Sequence, residues 1–157
     1  MTRQQLIILA AGGSLAMLLG AWAFQHIGGL APCKMCIWQR WPHGIAALIG
    51  PVALIAGGAL AVLLPLAGMA AALTTAGIGV FHAGVERGFW EGPASCSAGS
   101  IEGLSTSQLM DQIMAAPLVR CDEIAWQFLG LSMASWNALI SLGFATIWLA
   151  AALKSRA

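Results

Sequence analysis

Between Gly44 and Val80 the chain carries no acidic or basic side chain. A helix of about 20 residues crosses roughly 30 Å of hydrocarbon. The run is therefore too long for one ordinary crossing and fits two. The rest of the chain cannot shield it from water. Of 157 residues, 59% are hydrophobic and only 8% charged, against roughly 25% charged in a soluble domain. The expectation is an all-α membrane protein, a bundle of four transmembrane helices forming a single domain over 1–157. A net charge of +1 offers no basic face, which argues against nucleic-acid binding. Membrane lipid is the expected surround.

The remaining spans follow from the same rule. Leu6 to Phe24 is free of charge and is read as a first span over about 6–24. Gly12, Ala16 and Gly20 recur every four residues, a small-residue stripe that lets another helix approach. Ala21-Trp22-Ala23 also fits a signal cleavage site, but the apolar run exceeds a usual signal core. The second and third spans are placed at about 43–62 and 66–85. Pro65 is the expected break because proline cannot continue helix hydrogen bonding, with Gly57-Gly58 as the alternative. Gly68, Ala72 and Ala76 form another small stripe. A last span covers about 134–153.

Two loops remain, about 25–42 and 86–133. The first holds Trp38 and Trp41, whose rings favour the membrane interface. The second holds every acidic residue of the chain. Within it, Ser105 to Ala116 has helical periodicity, with Leu109, Met110, Ile113 and Met114 on one face. Ser105 and Gln108 match a capping box, and Pro117 is the expected stop. This short amphipathic helix is expected in the interface plane or packed on the bundle. Four spans put both termini on one side. Arg3, Lys154 and Arg156 are concentrated in short tails, whereas Lys34, Arg40, Arg87 and Arg120 are spread over long loops. That density favours cytoplasmic termini and puts the four cysteines on the oxidising side.

Cys33 and Cys36 form a Cys-x-x-Cys pair, whose sulfurs meet across one turn and can cycle between dithiol and disulfide. A static disulfide and half a zinc site are the alternatives. Zinc usually takes two close ligand pairs, and Cys96 and Cys121 do not supply the second. Arg40 lies one turn past Cys36, where a guanidinium favours thiolate or holds a ligand, or else anchors to lipid headgroups. Cys96 and Cys121 flank the amphipathic segment. A disulfide there would constrain the loop, or be attacked by an incoming thiolate. The second possibility suggests a two-step electron relay ending on a membrane-soluble acceptor. His43 is the histidine best placed to touch a bound cofactor. His26 and His82 read as interface or packing residues, and Glu86 as the water boundary of the third span.

The chain resembles the DsbB-type disulfide bond formation proteins over nearly its whole length. The likeness rests on Pro32-Cys33-Lys34-Met35-Cys36-Ile37-Trp38-Gln39-Arg40, His82-Ala83-Gly84-Val85-Glu86, Gly92-Pro93-Ala94-Ser95-Cys96, and Cys121-Asp122-Glu123 leading into Trp126-Gln127-Phe128-Leu129-Gly130-Leu131-Ser132-Met133. The resemblance implies a bacterial inner-membrane bundle that reoxidises a periplasmic thioredoxin-fold thiol oxidase, DsbA-like, and passes electrons to quinone, ubiquinone or menaquinone. It implies a mixed disulfide of Cys96 with the partner, Cys121 as its loop mate, exchange through Cys33, and Cys36 meeting quinone as thiolate. Arg40 matches a quinone-contacting arginine, and His82 and Glu86 are further candidates for that contact. Where the family often has a proline after the last cysteine, this chain has Ala125. No resident metal is expected. Three rivals stand beside this reading: a thiolate-based metal-binding membrane transporter, an epoxyquinone-reductase-like four-helix enzyme, and a structural protein with inert disulfides.

Overall fold

The computed structural model describes residues 1–93, 96, 105–115 and 119–155. Four long helices dominate: α1 (Arg3–His26), α2 (Lys34–Ile55), α3 (Leu60–Glu86) and α5 (Met133–Lys154). A shorter helix, α4 (Thr106–Ala115), precedes a two-stranded hairpin, β1 (Gln127–Phe128) and β2 (Leu131–Ser132). Helix α3 packs between α2 and α5, and α1 closes the ring against the same two. Helices α1, α3 and α5 are long and apolar enough to cross a membrane. Helix α2 falls short of that apolarity because Lys34, Gln39, Arg40 and His43 crowd its first three turns.

Every helix except α3 starts where a side chain satisfies a free amide of its first turn. Thr2 and Gln5 form a reciprocal capping box on α1. Ser132 Oγ accepts from the Ser135 amide at the head of α5, at 3.2 Å. At α2 the cap is a cysteine, with Cys33 Sγ accepting from the Cys36 amide at 3.2 Å. The expected Ser105–Gln108 box heads α4, at 2.9 and 3.4 Å. Met110 and Met114 of its expected apolar face are exposed. The expected stop at Pro117 lies outside the described residues.

The expected break at Pro65 is corrected. The chain turns at 56–59 instead, where Gly57-Gly58 lies and Gly58 adopts φ +57°. Helix α2 therefore ends earlier than the expected 62, and α3 begins earlier than the expected 66. Helix α2 also starts at Lys34, so the Cys-x-x-Cys segment is helical rather than part of a loop over 25–42. Pro65 is buried inside α3. Its missing amide frees the Ala61 carbonyl, and that carbonyl accepts from Arg3 Nη2 at 3.2 Å. The same Arg3 atom donates to Ala53 O at 2.8 Å, a carbonyl of the last turn of α2. Arg3 Nε donates to Ser155 Oγ at 2.7 Å, beyond the end of α5. One guanidinium thus ties all four long helices at the terminal end.

The core beside that clamp is built on small residues. Trp148 is fully buried against Gly68, where a Cβ would come within 2.6 Å of its ring. Ala72 and Ala76 continue the expected stripe and are buried. The stripe expected on α1 behaves otherwise. Gly12 and Ala16 are exposed, and Gly12 and Gly20 have open space beside them. The neighbouring row, Ile7, Ala10, Ala11 and Ser14, faces the bundle instead.

Arg3→Met removes three hydrogen bonds from a charged donor and strands two carbonyls. Each such bond is worth roughly 1.5–3 kcal/mol, not fully additive, so detergent-solubilised protein should melt roughly 5–10 °C lower. An unchanged melting temperature would show that the clamp contributes nothing.

Candidate functional site

All four cysteines converge at the end of the bundle opposite the clamp. Cys33, Met35, Val85, Cys96 and Cys121 form one buried cluster, with Cys36 and Val119 packed against it. Cys33 Sγ and Cys36 Sγ are 2.7 Å apart. Cys33 keeps its proton: the hydrogen bond to Cys36 and then burial push its thiol far above the usual range. Cys96 and Cys121 are held together by a backbone bond, from the Cys121 amide to the Cys96 carbonyl, at 2.8 Å. Both are fully buried, so the expectation of an exposed, attackable loop pair does not hold for this arrangement. Burial first, then the adjoining Cys121 sulfur, pushes the Cys96 thiol from 9.0 up to about 12.

Below the cysteines lies a network of buried polar side chains, and its atoms are oriented by two backbone carbonyls. Carbonyls only accept hydrogen bonds, which fixes amide and imidazole orientation around them. Gln39 Nε2 meets the Met35 carbonyl at 3.1 Å, so it is the nitrogen, and it also donates to His82 Nδ1 at 3.0 Å. His82 therefore carries its proton on Nε2, the atom 3.5 Å from Cys33 Sγ and 3.8 Å from Glu86 Oε1. Asn137 Nδ2 meets the Thr75 carbonyl at 3.2 Å, Thr75 Oγ1 at 3.0 Å and Gln39 Oε1 at 2.7 Å. Its Oδ1 consequently accepts from His43 Nε2 at 2.8 Å. Both histidines share one tautomer but offer opposite faces: His82 aims an N–H at the thiols, and His43 keeps a bare Nδ1.

A cavity of about 480 Å³ opens beside this network, within the range of small-molecule sites. Cys33, Cys36, Arg40, His43, His82 and Glu86 all line it. Every sequence candidate for cofactor contact is thus gathered at one cavity. Arg40 reaches across to α1, donating from Nη1 to Gln25 Oε1 at 2.6 Å. Arg40 Nε and His43 Nδ1 are buried atoms with no partner among the described residues. At the mouth, Phe24 and Trp126 rings lie 5.2 Å apart, and Trp126 stacks on Phe128 at 6.2 Å. The hairpin carries Phe128 there; Leu129 and Gly130 turn it with φ of 51° and 76°, as a two-residue hairpin turn needs.

Cys33, Cys36 and His82 offer ligand atoms within 4.8 Å of one another. Distance alone would admit a soft metal ion. The protonation pattern opposes it, because His82 Nε2 holds the hydrogen and the Gln39 amide occupies the other nitrogen. Sequence reading missed Gln39, Thr75 and Asn137. For Asn137 the available signal was a lone amide inside an otherwise apolar run, which marks an interhelical contact or functional site in a membrane helix.

Helices long enough to cross a membrane, closed over a thiol cluster and an apolar cavity, define a multi-pass membrane protein of thiol chemistry. The comparisons narrow this. A family model described as Disulfide bond formation protein DsbB matches residues 3–151. A disulfide bond formation protein B of Psychrobacter sp. (strain PRwf-1) is 30% identical, covering 90% of this chain and 88% of that one. Its counterpart in Acidovorax sp. (strain JS42) is 34% identical over 93% of this chain and 85% of its own. That of Pasteurella multocida (strain Pm70) is 34% identical over 81% and 74%. The chain belongs to the DsbB family.

The raised Cys96 thiol sets a pH dependence for the reduced protein. A thiol whose folded value exceeds its unfolded value stabilises the fold below the unfolded value and loses that contribution as pH rises toward the folded one. For Cys96 the window runs from 9.0 to about 12. Between pH ~9 and ~11 the melting temperature of reduced protein should fall relative to oxidised protein, in which Cys96 carries no thiol. Parallel profiles for the two forms would mean that Cys96 is solvated.

Proposed function

We propose that this protein is a thiol:quinone oxidoreductase of the bacterial inner membrane that reoxidises a periplasmic, DsbA-like thiol oxidase. The observation that carries this reading is the union of four cysteines and a cavity at one end of the bundle. Helix α2 serves as the fourth span, with Gln39, Arg40 and His43 turned into the bundle. Both termini are cytoplasmic, and α4 rests at the membrane surface.

The cavity fits a single-ring ligand bearing oxygens on opposite edges. Arg40 and His43 both line it, one turn apart on the same face of α2. Arg40, His43, His82 and Glu86 would hold such a ring beside Cys36. When bound, a quinone accepts two electrons and two protons as the Cys33–Cys36 disulfide forms. The chain's own residues prepare that event. The N-terminus of α2 points its free amides at the sulfurs and favours thiolate there. Cys33 retains its proton, leaving Cys36 as the nucleophile. His82 Nε2–H stands ready to stabilise negative charge on Cys33 while it exchanges with the loop pair.

The relay then runs from partner dithiol to Cys96–Cys121, to Cys33–Cys36, to quinone. Cys96 is buried under this arrangement, so partner engagement requires that its sulfur be uncovered.

Purified protein, short-chain ubiquinone or menaquinone, and a reduced thioredoxin-fold donor test the reading by quinone absorbance. Cys36→Ser should abolish quinone reduction while Cys96 still traps the donor as a mixed disulfide; turnover in that variant would sink the assignment. Arg40→Ala should raise the KM for quinone roughly tenfold or more, the loss expected for a charge-assisted hydrogen bond. An unaltered KM would reduce Arg40 to its tie with Gln25.

A further inference from the structure

We infer that Gln39 is a positioning residue for thiol exchange: its side-chain nitrogen occupies His82 Nδ1 and so holds the His82 N–H on Cys33 Sγ, the sulfur that bears negative charge when it leaves a disulfide. The inference rests on the cysteine relay proposed above and deepens it by naming the residue that readies the inner pair.

An amide side chain can present either its nitrogen or its oxygen, and here neighbours fix both ends. The Met35 carbonyl, 3.1 Å from Gln39 Nε2, admits only a donor. The Asn137 nitrogen, itself set by the Thr75 carbonyl at 3.2 Å, donates to Gln39 Oε1 at 2.7 Å. Rotating the Gln39 amide by half a turn would face oxygen with oxygen and nitrogen with nitrogen. The observed orientation leaves one Gln39 N–H for His82 Nδ1, at 3.0 Å. A neutral imidazole carries a single N–H, so that hydrogen sits on Nε2. Gln39, His82 and Cys33 are all buried, and solvent has little access to compete.

Charge decides among the acceptors near Nε2. Cys33 Sγ lies at 3.5 Å, a hydrogen-bond distance for sulfur. Glu86 Oε1, at 3.8 Å, is too far for an oxygen acceptor. The Cys121 backbone also approaches the ring, but a thiolate binds an N–H more strongly than a neutral carbonyl does.

Exchange puts that charge on Cys33. One loop sulfur bonds to Cys33 and expels Cys36. The second loop sulfur then bonds to the first, the bond to Cys33 breaks, and Cys33 leaves with the electron pair. The proton released by the attacking loop thiol balances the one that Cys33 finally takes up. The loop pair ends as a disulfide and the inner pair as a dithiol, with no outside oxidant. A hydrogen bond to a charged group is strong enough to change such a rate roughly tenfold. Gln39 contributes that factor through His82.

The test uses full-length protein in detergent, depleted of quinone, with Cys96→Ser and Cys121→Ser so that the Cys33–Cys36 disulfide stands alone. Dithiothreitol is the probe. Its thiolate meets Cys36, the partly open sulfur, and expels Cys33, so the initial opening rate reads the stabilisation of the leaving sulfur. Gln39→Met and His82→Phe should each slow opening roughly tenfold. Because Gln39 acts through His82, the double variant should be no slower than His82→Phe; a merely structural role would make the two losses multiply. Opening at the parental rate in Gln39→Met, or multiplied losses, overturns the inference. A second measurement needs no variant of Gln39. Nitrogen NMR of full-length protein with isotope-labelled histidine, the His82 signals being assigned by their loss in His82→Phe, should place the His82 hydrogen on Nε2. A hydrogen on Nδ1 overturns the inference even if Gln39→Met does not fold. A disulfide that dithiothreitol fails to open rejects the relay and the inference together. Neither measurement contains quinone, so the Gln39 role and the quinone reading fail separately.

Discussion

The hydrogen bond from Asn137 Nδ2 to Gln39 Oε1, 2.7 Å long and fully inside the bundle, is the contact on which the site depends. It joins α5 to α2, and each amide is anchored by a carbonyl, of Thr75 on α3 and of Met35 on α2. Three helices are registered by two side chains. In an apolar interior an unpaired amide is costly, so the four partners must be satisfied together or not at all. The pair also fixes proton positions at a distance. Through it, His82 becomes a donor toward Cys33 and His43 keeps Nδ1 as an acceptor. Neither histidine could take those roles with the amides reversed.

The cysteine end shows the opposite economy. Cys33, Cys96 and Cys121 are buried in apolar company with Met35 and Val85, out of reach of an incoming thiol. Only Cys36 is partly open, and it faces the cavity. Exposure thereby separates the sulfurs: Cys36 is partly open at the cavity, and the other three are enclosed. Such shielding suits a high-potential thiol system, because a disulfide open to any passing thiol would be discharged without benefit.

Much of this was legible in the sequence. The charge-free run from Gly44 to Val80 announced paired apolar helices, and Ser105 with Gln108 announced the start of α4. The Cys-x-x-Cys segment and Arg40 pointed to one end of the bundle, and the candidate residues gathered at one cavity. The failures have physical causes. Pro65 looked like a break because a proline strands a carbonyl, but the partner that relieves it, Arg3, comes from another helix and leaves no local trace. Gly12, Ala16 and Gly20 satisfied the spacing of a contact stripe, yet spacing does not say which way a nearly uniform apolar helix is rotated. Asn137 is an amide in an apolar run and Gln39 sits among polar neighbours, but sequence offers no rule for which distant amide meets which.

The bond between Arg3 and the Ala61 carbonyl has an evolutionary reading. Pro65 is tolerable in mid-helix because a guanidinium from the chain's start accepts the bonding duty that the proline declined. The two positions are thus coupled in energy, although they lie in different helices. A lineage that lost the arginine would be pressed to regain an amide at 65, and one that lost the proline would be free to let the arginine drift. Substitutions at 3 and 65 should be correlated across descent, and a change at either one is interpretable only with the other in view.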